Sequence, residues 1–184
     1  MKWLNEPREW KADGGNLSFV TEDQTDFWQA TFYGFRHDNG HFHYREVDGE
    51  FTAEVVFSAR YEAHYDQAGL MLRTGPGDWI KAGVEFAHGR ATLSSVLTKS
   101  VSDWAIGPEI RPIERIHLRL THKGGAVCVQ WKDGGRFQTL RLGAFAARDK
   151  LMIGPMACSP TRAGLKVFFE DFRIGPAVDF ASEV

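Results

Sequence analysis

The feature that most constrains this chain is an alternation of apolar and polar residues with a period of two. Turn signals interrupt it roughly every 8–12 residues. That period marks a strand with one buried face, because successive side chains point to opposite sides of a sheet. The interruptions are Asp48-Gly49, Gly75-Pro76-Gly77-Asp78, His88-Gly89, Lys123-Gly124-Gly125, Asp133-Gly134-Gly135 and the stretch 160–164. Between them the pattern predicts about eleven strands, over 17–21, 41–46, 51–60, 66–74, 79–86, 90–99, 113–122, 126–131, 136–142, 151–159 and 165–174. Asp48-Gly49 reads as a hairpin turn. Only 144–149 has the composition for a helical turn, and 179–184 reads as a loose tail. The expectation is all-β: one antiparallel β-sandwich of two sheets with little or no helix. The 184 residues fit a single domain, 1–184, with its core at about 3–174.

Charge and composition remove several function classes. Lys and Arg number 22 against 24 Asp and Glu, a net charge of −2. No basic excess grips a phosphate backbone, so no nucleic-acid partner is expected. The opening Met1-Lys2-Trp3-Leu4-Asn5-Glu6-Pro7 lacks the apolar run of a signal peptide, and no stretch approaches a membrane span. A cytoplasmic location is therefore expected, with Cys128 and Cys158 as free thiols. No phosphate loop, dinucleotide fingerprint or Gly-x-Ser-x-Gly elbow occurs, and no cofactor is expected.

Parity within the strands divides their side chains. Over 66–73, Ala68, Leu70 and Leu72 share one face, and Gln67, Gly69, Met71 and Arg73 share the other. Over 79–86, Ile80, Ala82, Val84 and Phe86 oppose Trp79, Lys81, Gly83 and Glu85. The apolar sets face the core together, since a one-residue slip would expose a whole set. Ile116, Leu118 and Leu120 likewise point inward, which turns His117, Arg119 and Thr121 outward. The second face thus gathers Gln67, Arg73, Lys81, Glu85 and Trp79, with Gly69 and Gly83 leaving room between them. Such groups suit a sugar: planar polar side chains bind paired hydroxyls, and an indole stacks on a pyranose. The same pattern also describes an ordinary solvated sheet face.

Several segments carry a family resemblance. They are Thr25-Asp26-Phe27-Trp28, the paired run 66–86, Ser102-Asp103-Trp104, Gly154-Pro155-Met156-Ala157-Cys158-Ser159-Pro160 and the stretch 164–172. In order and spacing the chain resembles, over about 3–174, a concanavalin A-like family of unknown function. That family includes the yeast regulator-of-enolase protein and small bacterial cytoplasmic relatives. The resemblance implies a jelly roll with a concave inner sheet, as in legume lectins and glucanases, and no established reaction. Gln67, Lys81, Glu85 and Asp103-Trp104 fall within its motifs.

The expected function is a non-catalytic module that binds a saccharide or sugar derivative on the concave sheet. Gln67, Arg73, Lys81, Glu85, Asp103 and Arg119 would hydrogen-bond the ligand, and Trp28 or Trp104 would stack on it. One rival is a glycoside hydrolase or lyase acting through Glu85 or through the Glu46, Asp48 and Glu50 cluster. That cluster matches a Glu-x-Asp-x-Glu arrangement that mounts carboxylates on one strand face, but here it spans a turn. A Glu between Arg and Lys stays ionised, which favours binding over hydrolysis. The other rival is a regulatory protein that binds a metabolic enzyme through the same face. His41-x-His43-x-x-Glu46 has the look of a metal motif at strand spacing, yet its acidic residue comes one position early, so no metal is expected. Monomer and homodimer both remain open.

Overall fold

The computed structural model describes residues 1–111, 115–146 and 150–180. Among these residues there is no α-helix, and the strands form two large antiparallel sheets. Strands are numbered in chain order. The first sheet runs, edge to edge, β1 (Lys2–Leu4), β6 (His41–Val47), β15 (Leu151–Cys158), β8 (Asp66–Gly75), β9 (Asp78–Ala87), β10 (Arg90–Lys99) and β11 (Val101–Ile110). The second sheet runs β14 (Arg136–Ala144), β13 (Ala126–Asp133), β12 (Ile116–Lys123), β7 (Phe51–Ala59), β16 (Lys166–Gly175), β3 (Asn16–Val20) and β2 (Glu9–Asp13). A small third pair joins β4 (Phe27–Gln29) to β5 (Arg36–Asp38).

The strands missing from the sequence pattern are those without alternation. β2 is exposed at every position, β11 is an edge strand exposed along most of its length, and β1, β4 and β5 are three residues each. Of the expected helical turn, Ala144 instead closes β14 and Phe145 is a buried core residue. Residues 147–149 lie outside the described residues, as do 113 and 114 of the expected strand and 181–184 of the tail. One expectation is corrected: Asp48-Gly49 is a turn but not a hairpin. It carries the chain from β6 in one sheet to β7 in the other, because β6 pairs with β1 and β15 while β7 pairs with β12 and β16.

Between the sheets lies one core, and the parity argument holds there. Ala68, Leu70, Leu72, Ile80, Ala82 and Val84 pack in it with Ile116, Leu118 and Leu120 of the facing sheet. The β8–β9 register sets Gln67 opposite Glu85, Gly69 opposite Gly83 and Met71 opposite Lys81. The two glycines do not leave room. A Cβ on Gly69 would strike the backbone of Ala82, and one on Gly83 the backbone of Ala68.

The centre of the opposite face of the first sheet is covered rather than solvated. The β4–β5 hairpin lies across it and makes a second core, with Phe27 and Trp28 packed among Phe42, Met71, Trp79, Val96, Met156 and Cys158. The hairpin is tied to β11 where the Gln29 N–H donates to Ser102 Oγ at 2.9 Å. Gln67, Arg73, Lys81 and Glu85 are consequently buried. Polar side chains under an apolar cover need partners.

Candidate functional site

Between the hairpin and the first sheet remains a cavity of about 140 Å³. Its floor is polar and buried: Gln67 from β8, Lys81 and Glu85 from β9, and Asp26 from the start of the covering segment. Its walls are aromatic: Trp28, Tyr33, Phe35, Tyr65 and Trp104. Tyr33, Phe35 and Trp104 are 44, 43 and 36% exposed, which puts the mouth on their side.

The floor is organised around Lys81. Its Nζ donates to Asp26 Oδ1 at 3.0 Å, and the same oxygen accepts the Phe27 N–H at 2.8 Å. Asn39 Oδ1 in turn accepts the Asp26 N–H at 3.0 Å. Burial is the largest influence and opposes the ammonium charge, but the acidic neighbours, Asp26 foremost, together leave the Lys81 pKa raised. Asp26 thus neutralises a buried lysine and anchors the segment that covers it.

Glu85 behaves differently from the sequence expectation of a plainly ionised carboxylate. Burial raises its pKa above the ordinary 4.5, opposed in part by Lys81 and by Ser94 Oγ, which donates to Oε2 at 3.3 Å. The folded chain therefore holds a proton that the unfolded chain releases, so this group lowers stability as pH rises from 4.5 through its folded value. Glu85→Gln is expected to melt higher than the parent at neutral pH, with the difference gone at about pH 4. Thermal melts of both proteins at the two pH values check this; a variant that melts lower at neutral pH contradicts it.

Gln67 sits opposite Glu85 and is 6% exposed. No other described residue hydrogen-bonds its side-chain amide, which opens onto the cavity. Tyr65 adopts a left-handed φ of 66° and meets the Tyr33 hydroxyl at 3.4 Å. That contact and partial burial push its pKa up to about 12. The Cys158 thiol is likewise pushed up to about 12 by burial, so it is a neutral core group rather than a nucleophile.

Of the eight residues singled out from the sequence, Trp28, Gln67, Lys81, Glu85 and Trp104 line this cavity. Three do not. Arg73 makes a paired bond to Asp38, at 2.5 and 2.7 Å, close under the Phe27 ring. Asp103 points away from Trp104 and pairs with Arg141 of β14 at 3.0 Å, since neighbours on a strand face opposite ways. Arg119 belongs to the other sheet, where it bonds Gln130 and stacks on Phe137 with 3.7 Å from guanidinium to ring centre. The Glu46 and Glu50 carboxylates are separated by the sheet change. Glu46 pairs with Lys2, and Glu50 accepts the Gly124 N–H at 2.8 Å. His41 bonds backbone through both ring nitrogens, to Asn5 and Glu22. His43 packs on Trp3, and burial, followed by the N-terminal charge, lowers its pKa to about 4.

Asp26, Tyr33, Phe35 and Tyr65 were not picked out as site residues. Asp26 has a legible signal, since it precedes Phe27-Trp28 in the segment Thr25-Asp26-Phe27-Trp28 and an inward lysine needs a counter-charge. The run Phe32-Tyr33-Gly34-Phe35 was also visible as aromatic density.

A family described as a protein of unknown function, DUF1349, matches residues 3–177. The chain belongs to that family. Regulation of enolase protein 1 of Saccharomyces cerevisiae is 42% identical over 173 residues, which cover 94% of this chain and 87% of that one. The crystal structure of a functionally unknown protein from Saccharomyces cerevisiae superimposes with a TM-score of 0.92 at 40% identity, covering 97% of each chain. Bacteroides ovatus xyloglucan PUL GH43B matches with a TM-score of 0.64 at 16% identity, covering 89% of this chain and 34% of that one. This last likeness is one of fold.

Proposed function

We propose that this DUF1349 chain binds one saccharide ring, or a small sugar derivative, in the cavity beneath the β4–β5 hairpin. The observation that carries the reading is Gln67: a buried residue whose amide lines the cavity without a hydrogen-bond partner among the described residues, which a ligand hydroxyl would satisfy. Aromatic walls over a polar floor suit a pyranose, with a ring face for stacking and hydroxyls for hydrogen bonds. The 140 Å³ volume, against roughly 300–1,000 Å³ for drug-sized sites, favours one ring over a chain. The sandwich fold shared with carbohydrate-active proteins agrees with the reading by analogy.

Calorimetric titration with monosaccharides and their simple derivatives tests it. Trp104→Ala should weaken binding by about 1 kcal/mol, the worth of a stacked ring. Because Trp104 lies at an exposed edge, the melting temperature should hardly move. A folded parent that binds none of these compounds ends the proposal.

A second reading has its own observation. Burial biases Glu85 toward the neutral acid, beside an Asp26 committed to Lys81, and such an environment suits a general acid. Product release from a bound sugar, lost in Glu85→Gln, would favour it. The name of the yeast relative supports a third, regulatory reading in which the chain binds a metabolic enzyme. The exposed Phe32, at 93%, stands beside the cavity mouth for such a contact.

A further inference from the structure

We infer that the cavity selects a cationic ligand, holding an ammonium group among its aromatic rings with Glu85 as the counter-ion. The inference rests on the ligand site proposed above and deepens it: an amino sugar satisfies both.

Charge within the cavity decides the sign. Its charged lining residues are Asp26, Lys81 and Glu85, two acids and one base. Lys81 is committed to Asp26 at 3.0 Å and lies 5.9 Å from the ring centre of Trp79 behind the floor. Lys81 acts on Glu85 through space but makes no ion pair with it, and among the described residues the carboxylate takes its side-chain hydrogen bond from the Ser94 hydroxyl, on Oε2. An anionic ligand such as a sugar phosphate or a uronate would meet no uncommitted arginine or lysine in this lining.

The walls point the same way. Trp28, Tyr33, Phe35, Tyr65 and Trp104 line a space of only 140 Å³. A cation placed over such faces is attracted by the ring quadrupoles, most strongly where water is excluded, and aromatic cages bind substituted ammonium groups in this way. A neutral hydroxyl gains nothing comparable from the same rings. Gln67, opposite Glu85 on the paired strand, would take a neighbouring hydroxyl while Glu85 takes the ammonium.

The test is calorimetry on the full chain at neutral pH with glucosamine, glucose and N-acetylglucosamine. It is repeated with choline and its neutral isostere, in which a tert-butyl group replaces trimethylammonium. Glucosamine should bind at least about tenfold tighter than glucose and N-acetylglucosamine, and choline likewise over its isostere. Glu85→Gln should reduce both preferences, leaving only the part that the rings supply. Should that variant fail to fold, choline against its isostere on the unaltered chain still decides, since choline keeps its charge at any pH. Glucose binding as tightly as glucosamine overturns this inference and leaves the saccharide reading standing. Choline preferred over its isostere with no sugar bound does the reverse. No preference for any cation overturns the inference outright.

Discussion

Replacing Lys81 with methionine should destabilise the chain by about 3–5 kcal/mol, the usual result of removing one partner of a buried ion pair. Methionine fills the apolar stem of the lysine, so lost volume is not the cause. The cost comes from Asp26, whose carboxylate would stay under the hairpin with its countercharge gone. The Asp26→Asn, Lys81→Met double variant should recover most of the loss, because removing both charges is often near neutral. The amide oxygen that Asp26→Asn introduces can still accept the Phe27 N–H. Since the Lys81 pKa is raised in the fold, its contribution is fully present below the ordinary 10.5 and is lost as pH rises through the folded value. The cost of Lys81→Met should therefore not diminish between neutral pH and about pH 9. Urea unfolding of the parent, both single variants and the double variant measures it. A Lys81→Met variant as stable as the parent would mean that the pair does not hold the hairpin.

Much of the sandwich was legible, and particular residues show why. Leu70 and Leu72 on one strand and Val84 on the next share a parity that only one register can bury, so β8 and β9 followed from alternation alone. Sheet membership is harder. Arg119 has the outward parity of a site residue, yet β12 lies in the other sheet, and no local pattern says which sheet a strand joins. The Asp48-Gly49 turn failed for the same reason, because a tight turn looks alike whether the next strand pairs or crosses over. Asp103 lies outside the cavity for a different reason. Adjacent strand residues face opposite ways, so with Trp104 on the cavity Asp103 turns to Arg141.

The covered face marks the limit of periodicity. Parity tells which side chains share a face but not what lies over it. The cover comes from β4 and β5, three residues each, too short to show any period. What did signal it was the polarity of the face itself. A lysine, a glutamate and an arginine flanked by Trp79 and Met71 make poor solvated surface and poor core, and they became coherent once Asp26 and Asp38 arrived as partners.

The hairpin is seated chiefly by Phe27, and Phe27→Ala should cost about 3–5 kcal/mol. The ring is fully buried, meets Trp79 edge-on at 6.2 Å, and packs where Gly40 leaves space beside Cys158. Truncation leaves a void among these groups and removes the ring that lies over the Arg73 guanidinium. For a chain of this size the loss corresponds to a fall in melting temperature of roughly 10 °C. Function should change with it. The Phe27 N–H holds Asp26 Oδ1, so a loosened Phe27 frees both the floor carboxylate and the aromatic wall that Trp28 contributes. Ligand affinity per folded molecule should drop as well. Trp104→Ala, at the exposed mouth, should lower affinity with little loss of stability; the contrast separates a ring that touches the ligand from one that holds the roof over it. If Phe27→Ala costs less than about 1 kcal/mol, the hairpin is not a packed part of the fold, and the cavity beneath it is not a built site.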